Sequence, residues 1–253
     1  AQILGDLGAD VVKVERPGTG DDTRGWGPPF SGGESAYFMC ANRNKKSVTL
    51  DLASEAGLGV LKTLIAAADV VVENFRPGTL ARWGLDDDWF ASAAPRTVLC
   101  SVTGYGARGP KARLPGYDFL AQAESGLMSI NGAPDGEPTK FGVSIVDFCT
   151  GQYAAIAILA ALQARSRTGR GQRIDANLYC TGVSMLINVG ASHLMSGKPA
   201  RRLGNGHPNA VPYREYACSD AALALPVGND AQFARLAAAL GHPEWADDPR
   251  FAT

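Results

Sequence analysis

Hydrophobic and polar positions along this chain switch repeatedly between helical and strand periods. Ile3, Leu4 and Leu7 recur at helical spacing before Gly8, and the β-branched run Ala9-Asp10-Val11-Val12-Lys13-Val14-Glu15 follows, so the pattern predicts helix, glycine stop and strand. Residues 47–52 predict a second strand. Ser54 then stands as the N-cap of a helix over 55–67, with Leu58, Leu61, Leu64 and Ile65 on one side and a strand over 69–74 beyond it, a βαβ unit. Residues 97–102 predict another buried strand. These repeated periods give an α/β fold with a mostly parallel, twisted sheet flanked by helices. Residues 17–36, rich in Pro, Gly, Asp and Ser, form a long loop of the kind compact domains retain for function. Farther along come a helix near 118–128, a hairpin-like turn over 131–136, and a helix over 151–165 that carries few charges. From Ala200 onward Gly- and Pro-containing loops dominate, with a strand at 222–227 and a helix at 230–240. The change predicts a large domain over 1–195, then a linker and part of a smaller domain over 196–253.

Charge narrows the function classes. The 253 residues carry 24 Lys+Arg against 25 Asp+Glu, a formal net charge of -1, and no basic tail, so neither nucleic acid nor an anionic membrane surface is an expected partner. Gly, Asp or Gln breaks the apolar runs before the roughly 18 residues of a membrane span. The cysteines at 40, 100, 149, 180 and 218 form no CxxC and no Cys/His cluster, which predicts free thiols, a reducing cytoplasmic setting and no metal site. His193, His207 and His242 are likewise too scattered to suggest zinc. The opening residues lack the basic and apolar regions of a signal peptide. There is no initiator Met, the chain starts as if inside a helix and it stops without a terminal element, so a fragment of a longer protein is expected.

Two sets of residues carry chemistry. Asp147 lies among apolar neighbours just before Gly151 and the predicted helix, where a carboxylate held by backbone donors serves as nucleophile or base, or else simply caps the helix. Cys149, two residues on, has no basic partner beside it and reads as an ordinary buried thiol. Cations gather near Pro or Gly after strands, at Arg16-Pro17, Arg43-Asn44-Lys45-Lys46, Arg76-Pro77-Gly78 and Arg108-Gly109-Pro110-Lys111. Open α/β sheets bind ligands at such strand ends, and guanidinium groups suit phosphates. Each cluster alone reads equally as solvated charge. Neither GxGxxG nor a P-loop occurs, so dinucleotide and NTPase readings lack support.

Taken in order, residues 4–17 (LGDLGADVVKVERP), 42–47 (NRNKKS), 73–78 (ENFRPG), Gly104-Tyr105-Gly106 with Gly109-Pro110, Asp147 with Gly151, and 168–175 (TGRGQRID) resemble the class III, CaiB/BaiF-type coenzyme A transferases. The resemblance covers essentially the whole chain. It implies a Rossmann-like large domain plus a smaller one, interlocked ring-shaped homodimers, an acyl-CoA and a carboxylic acid as substrates, and no metal. It also implies that the family's N-terminal strand and roughly its last third are absent here.

By the same resemblance, Asp147 attacks an acyl-CoA thioester to give an aspartyl anhydride and then an aspartyl–CoA thioester. Arg16, Arg76 and Arg82 meet the CoA nucleotide, with Asn74, Phe75 and Lys111 as further candidates. Gly204, Asn205 and Gly206 form the glycine loop that covers the intermediate. Backbone N–H groups near Gly151 and in that loop are candidates to stabilise the oxyanions. Trp26, Tyr37, Phe38, Met39 and Tyr117 are candidates for an acyl pocket, and packing explains them equally well. The α-methylacyl-CoA racemases of the family place a histidine in the segment Gly116-Tyr117-Asp118. Tyr117 stands there instead, a poorer base with a reference pKa of about 10, which favours transfer over racemisation. A non-catalytic CoA-binding chain is the remaining alternative.

Overall fold

Local signals set most elements of the computed structural model, which describes residues 1–251. Helix α1 (Gln2–Asp6) stops before the left-handed Gly8 (φ 99°) and leads into β1 (Val11–Glu15). The following loop carries the small hairpin β2 (Phe30–Ser31) and β3 (Glu34–Ser35), then α2 (Ala36–Asn42) and β4 (Lys45–Thr49). The predicted helix is α3 (Glu55–Ala67), and the Ser54 hydroxyl accepts the Gly57 N–H at 3.0 Å as its N-cap. Next come β5 (Val70–Glu73), α4 (Thr79–Arg82), α5 (Asp87–Ala93) and β6 (Val98–Thr103).

The helix expected near 118–128 is split by the left-handed Gly126 (φ 92°) into α6 (Asp118–Glu124) and α7 (Leu127–Ile130). The helix expected over 151–165 is longer, α8 (Ile145–Thr168), and takes in Asp147 and Gly151. Then follow β7 (Arg173–Asn177), α9 (Leu178–Ser184), α10 (Ile187–Ser196), the hairpin β8 (Tyr213–Ala217) and β9 (Ala222–Pro226), and α11 (Asp230–Ala239).

Strand pairing corrects the expectation of one sheet. β1 pairs parallel with β4, and β5, β6 and β7 form a separate parallel sheet in that order. α3 therefore links two sheets and does not make the βαβ unit expected over 47–74; the crossovers run from β1 to β4, β5 to β6 and β6 to β7. Periodicity specifies that a segment is a strand and which side is buried, but carries nothing about its partner.

β6 is the centre of the first compact unit. Leu99 faces one way, into a cluster with Ile65, Leu85, Phe90 and Ala94 from the α3–α5 side. Cys100 faces the other way, against Ala154 and Ile158 of α8. A strand buried on both faces is what a parallel sheet with helices on each side requires. α8 is also the one described helix long and apolar enough to cross a membrane by length and composition. The helix runs on through Gly151 and Gln152, and its Val146, Ala154, Ile158 and Ala161 side is buried in the protein.

By contacts, residues 1–125 and 142–184 form this first unit. The second comprises residues 126–141 with the chain from Met185 onward, so residues 185–195 group with the later segment. Within the second unit, β8 and β9 pair antiparallel, and the Gly204 N–H donates to the Gly132 carbonyl at 3.1 Å.

Replacing Ser54 with Ala removes one acceptor from the start of α3 and is expected to cost about 1 kcal/mol, whereas Ser54→Asp retains stability. Urea unfolding midpoints of the two variants check this; an unchanged midpoint for S54A refutes the cap.

Candidate active site

The loops that leave the carboxyl ends of β5, β6 and β7 build the site. After β6 the chain turns at Gly104-Tyr105-Gly106, where the Thr103 hydroxyl accepts the Gly106 N–H (2.8 Å) and the Asp175 carboxylate accepts the Ala107 N–H (2.7 Å). Gly104 and Gly116 cross back to back: a Cβ on Gly104 would lie 2.5 Å from the Gly116 Cα. That crossing fixes where the next segment, Tyr117-Asp118, enters α6.

Asp118 is buried, and its carboxylate is fully engaged. Oδ1 accepts the N–H of Val146 at 2.8 Å and of Asp147 at 3.2 Å; Oδ2 accepts Gln122 Nε2 at 2.6 Å. The first turn of α8 has no side-chain cap of its own from Ser144. Its free N–H groups are satisfied from 28 residues away. Asp147 is thus the capped residue and not the cap. Its carboxylate receives no hydrogen bond and no ion pair among the described residues, and the residue is exposed. Although the side chain reaches solvent, desolvation by the protein packed around it, then the negative charge of Asp118, pushes its pKa up to about 6. At pH 7 about nine-tenths of such a group is ionised, while it is more basic than an ordinary aspartate. Cys149 is half-buried one turn into α8. Gly151 lies inside the helix, where its own N–H belongs to the helical ladder.

The arginines separate into two places. Arg76 and Arg82, with Arg113, Pro77 and Gly78, line an open cavity of about 480 Å³. Arg113 escaped the sequence reading, although it stands two residues beyond the Arg108–Lys111 cluster. An adjoining cavity of about 240 Å³ shares Arg76 and reaches Glu73, Ser101, Thr103, Arg173 and Asp175 at the strand ends. Ser101 Oγ is buried there without a hydrogen-bond partner. Phe75 packs edge-on against Trp83 (5.1 Å between centroids), and Asn74 Nδ2 donates to the Val102 carbonyl at 2.5 Å, joining the ends of β5 and β6. Lys111 pairs with Glu124 at 2.6 Å and lies over the Tyr105 ring.

Arg16 is at the end of β1 and pairs with Asp22. Beside it, the Glu15 side chain is 1% exposed and takes Arg24 through both oxygens (2.8 and 2.9 Å), Ser47 Oγ and the Asp21 N–H (2.9 Å each) and Lys13 at 3.3 Å. The Arg24 guanidinium foremost holds its carboxyl far below the usual carboxylate range. Arg24 also stacks on Phe38 at 3.9 Å and pairs with Glu34, so Phe38 serves loop packing; Trp26 and Tyr37 contact each other at 5.0 Å. Met39 and Tyr117 are exposed.

Gly204, Asn205 and Gly206 belong to the second unit. There Asn205 Nδ2 donates to Glu215 at 2.7 Å, and His207 Nδ1 accepts the N–H groups of Asn209 and Ala210 at 3.0 Å each. Among the described residues no group of three His, Cys, Asp or Glu is placed to hold a metal ion.

The raised pKa of Asp147 has a signed consequence for folding. Between about pH 4 and 6 the folded chain holds a proton that the unfolded chain has released, so stability falls as pH rises through that window. Asp147→Asn is therefore expected to exceed the wild type above pH 6, by about 1 kcal/mol after discounting for solvent screening, and to match it below pH 4. Urea midpoints of both proteins at pH 4 and pH 7 test this, and an equal difference at the two pH values refutes it.

The family model described as CoA-transferase family III matches residues 1–253. The succinate–glutarate CoA-transferase of Agrobacterium fabrum is 47% identical over 258 residues, covering 100% of this chain and 64% of that protein. The succinyl-CoA:glutarate CoA-transferase of Mus musculus is 46% identical over 250 residues, covering 99% of this chain and 57% of that protein. A crystal structure of a CaiB/BaiF family protein from Brucella suis superposes with a TM-score of 0.85 at 47% identity, over 100% of this chain and 68% of that one. The chain thus spans about three-fifths of the length of these curated relatives, and a match that runs from its first residue to its last, over the motifs that build the site, makes it a member of CoA-transferase family III.

Proposed function

We propose that this chain carries the nucleophile and the nucleotide-binding arginines of an enzyme that moves coenzyme A from an acyl-CoA to a carboxylic acid. The observation that carries the reading is Asp147: an exposed carboxylate with no hydrogen-bond partner among the described residues, with a pKa of about 6, on a helix start that another residue holds in place.

One Asp147 oxygen attacks the thioester carbonyl carbon, the C–S bond breaks, and CoA thiolate leaves an acyl–aspartyl anhydride. The thiolate attacks the aspartyl carbonyl and expels the donor acid, leaving an aspartyl–CoA thioester. The acceptor carboxylate then displaces the thiolate to form a second anhydride. Attack of the thiolate on the acceptor's acyl carbon releases the new thioester and regenerates Asp147. A carboxylate ionised at neutral pH needs no base for any of these steps.

The CoA phosphates are assigned to Arg76, Arg82 and Arg113, which surround one cavity, with Arg16, Asn74, Phe75 and Lys111 as flanking candidates. Gly204, Asn205 and Gly206 are assigned to a loop that excludes water from the anhydride. The names of the succinate- and glutarate-using relatives support dicarboxylic acids as the substrate class. A Rossmann-like large domain with part of a smaller one, and a homodimer, complete the reading. Phe148, Tyr153, Ile156 and Leu159 leave one side of α8 apolar and exposed, an area a second chain would bury.

The test is to incubate the chain with succinyl-CoA, glutaryl-CoA and acetyl-CoA plus hydroxylamine and to locate the hydroxamate by peptide mass spectrometry. Modification at Asp147, absent from Asp147→Ala, is expected. CoA binding without modification by any donor would favour the non-catalytic alternative. Arg82→Ala is expected to weaken CoA binding by about tenfold, read by calorimetry, with a loss that shrinks at high salt.

A further inference from the structure

We infer that Asp118 is the positioning residue of this site: by accepting the N–H groups of Val146 and Asp147 it fixes the first turn of α8, from which the Asp147 carboxylate projects, and sets its own charge close by. The inference rests on Asp147 as the nucleophile.

Two roles meet in one carboxylate. As an acceptor, Asp118 supplies from α6 what Ser144 does not supply locally, so α8 begins at a fixed point relative to the Gly104–Gly116 crossing. As a charge, it opposes ionisation of its neighbour. The ionisable groups on α8 and the elements packed against it are Asp118 and Glu124 on α6, Asp147, Cys149, Tyr153, Arg165 and Arg167 on α8, Tyr179 and Cys180 on α9, Asp6 on α1, Cys100 on β6, and Arg173 and Asp175 on β7. Glu124 is taken up by Lys111. Among all of them, Asp118 is the group whose charge raises Asp147, second only to burial.

An aspartate that is too weak a base makes a poor nucleophile, and one left without the contact from α6 would hang on a frayed helix end. Asp118 meets both needs because each of its oxygens is engaged, Oδ1 by the N–H groups of Val146 and Asp147 and Oδ2 by Gln122. It has no free oxygen with which to compete for an incoming acyl group.

The discriminating variant is Asp118→Asn. Its amide oxygen still accepts the two N–H groups, and Gln122 can turn its amide to face the new NH₂, so the geometry survives while the charge is removed. Two readouts are taken across pH 4–8: the Asp147 carboxyl titration by carbon-13 NMR, and the rate of donor-dependent hydroxamate formation at Asp147. The titration is expected to move to lower pH in D118N, and the acid limb of trapping to move with it. The relative rate at pH 5 then rises, by at most about tenfold, since a group with a pKa of about 6 is one-tenth ionised there. A merely structural role would lower the rate at every pH without moving the limb.

A titration unmoved by D118N overturns the inference about Asp118. A titration that moves with no hydroxamate in either protein overturns the reading of Asp147 as nucleophile, and with it the catalytic purpose of the pair. If D118N does not fold, the wild-type amide protons of Val146 and Asp147 carry the test. They are expected to keep their hydrogen-bonded resonance positions as Asp147 takes up its proton, and their loss in step with that titration overturns the inference.

Discussion

Burial of β6 on both faces is the constraint from which the first unit follows. Leu99 commits one side to α3–α5 and Cys100 the other to α8, so the helices are pinned to the sheet and the strand's sides are closed to ligands. What stays open is the end of the strand. There the chain leaves through Thr103 and Gly104, and the cavity lined by Thr103 and Arg76, with the adjoining one lined by Arg82 and Arg113, opens at that end. The general rule that open parallel sheets bind ligands beyond their carboxyl ends is here a consequence of two packed clusters that leave no other place.

Three carboxylates of the first unit are treated in opposite ways. Glu15 and Asp118 are buried and surrounded by donors, a state in which a charge is stable in the interior. Asp147 is given none. The contrast separates the two kinds of acid better than burial alone: the first two are held by neighbouring donors, and the third is left without one among the described residues. It also explains how a helix can start at an exposed carboxylate without fraying, because the buried acid of α6 accepts its first N–H groups.

Much of this was legible in the residues. Ser54 with its apolar face gave α3 to the residue, since caps and helical periodicity are local. Val11–Glu15 and Val98–Thr103 were legible as strands through their β-branched runs. Pairing was not, because a strand's partner depends on chain path: β4 joins β1 while β5, near in sequence, joins β6. Asp147 stood out by its neighbours, but its relation to Asp118 spans 29 residues and leaves no local trace. The segment Gly116-Tyr117-Asp118 drew notice for its tyrosine, and the aspartate beside it proved to be the contact that matters. Arg113 was lost among solvated charges, since convergence on Arg76 and Arg82 is a property of the fold.

The Glu15 knot has a consequence for recognition. Residues 16–35 are a glycine-rich stretch that, left to itself, would sample many shapes and give up that freedom on meeting a ligand. Arg24, Ser47, Lys13 and the Asp21 amide all close on one buried carboxylate, and Arg24 reaches on to Glu34 and Phe38. The conformational entropy of the loop is therefore surrendered during folding, so the surface around it is already ordered before anything binds there.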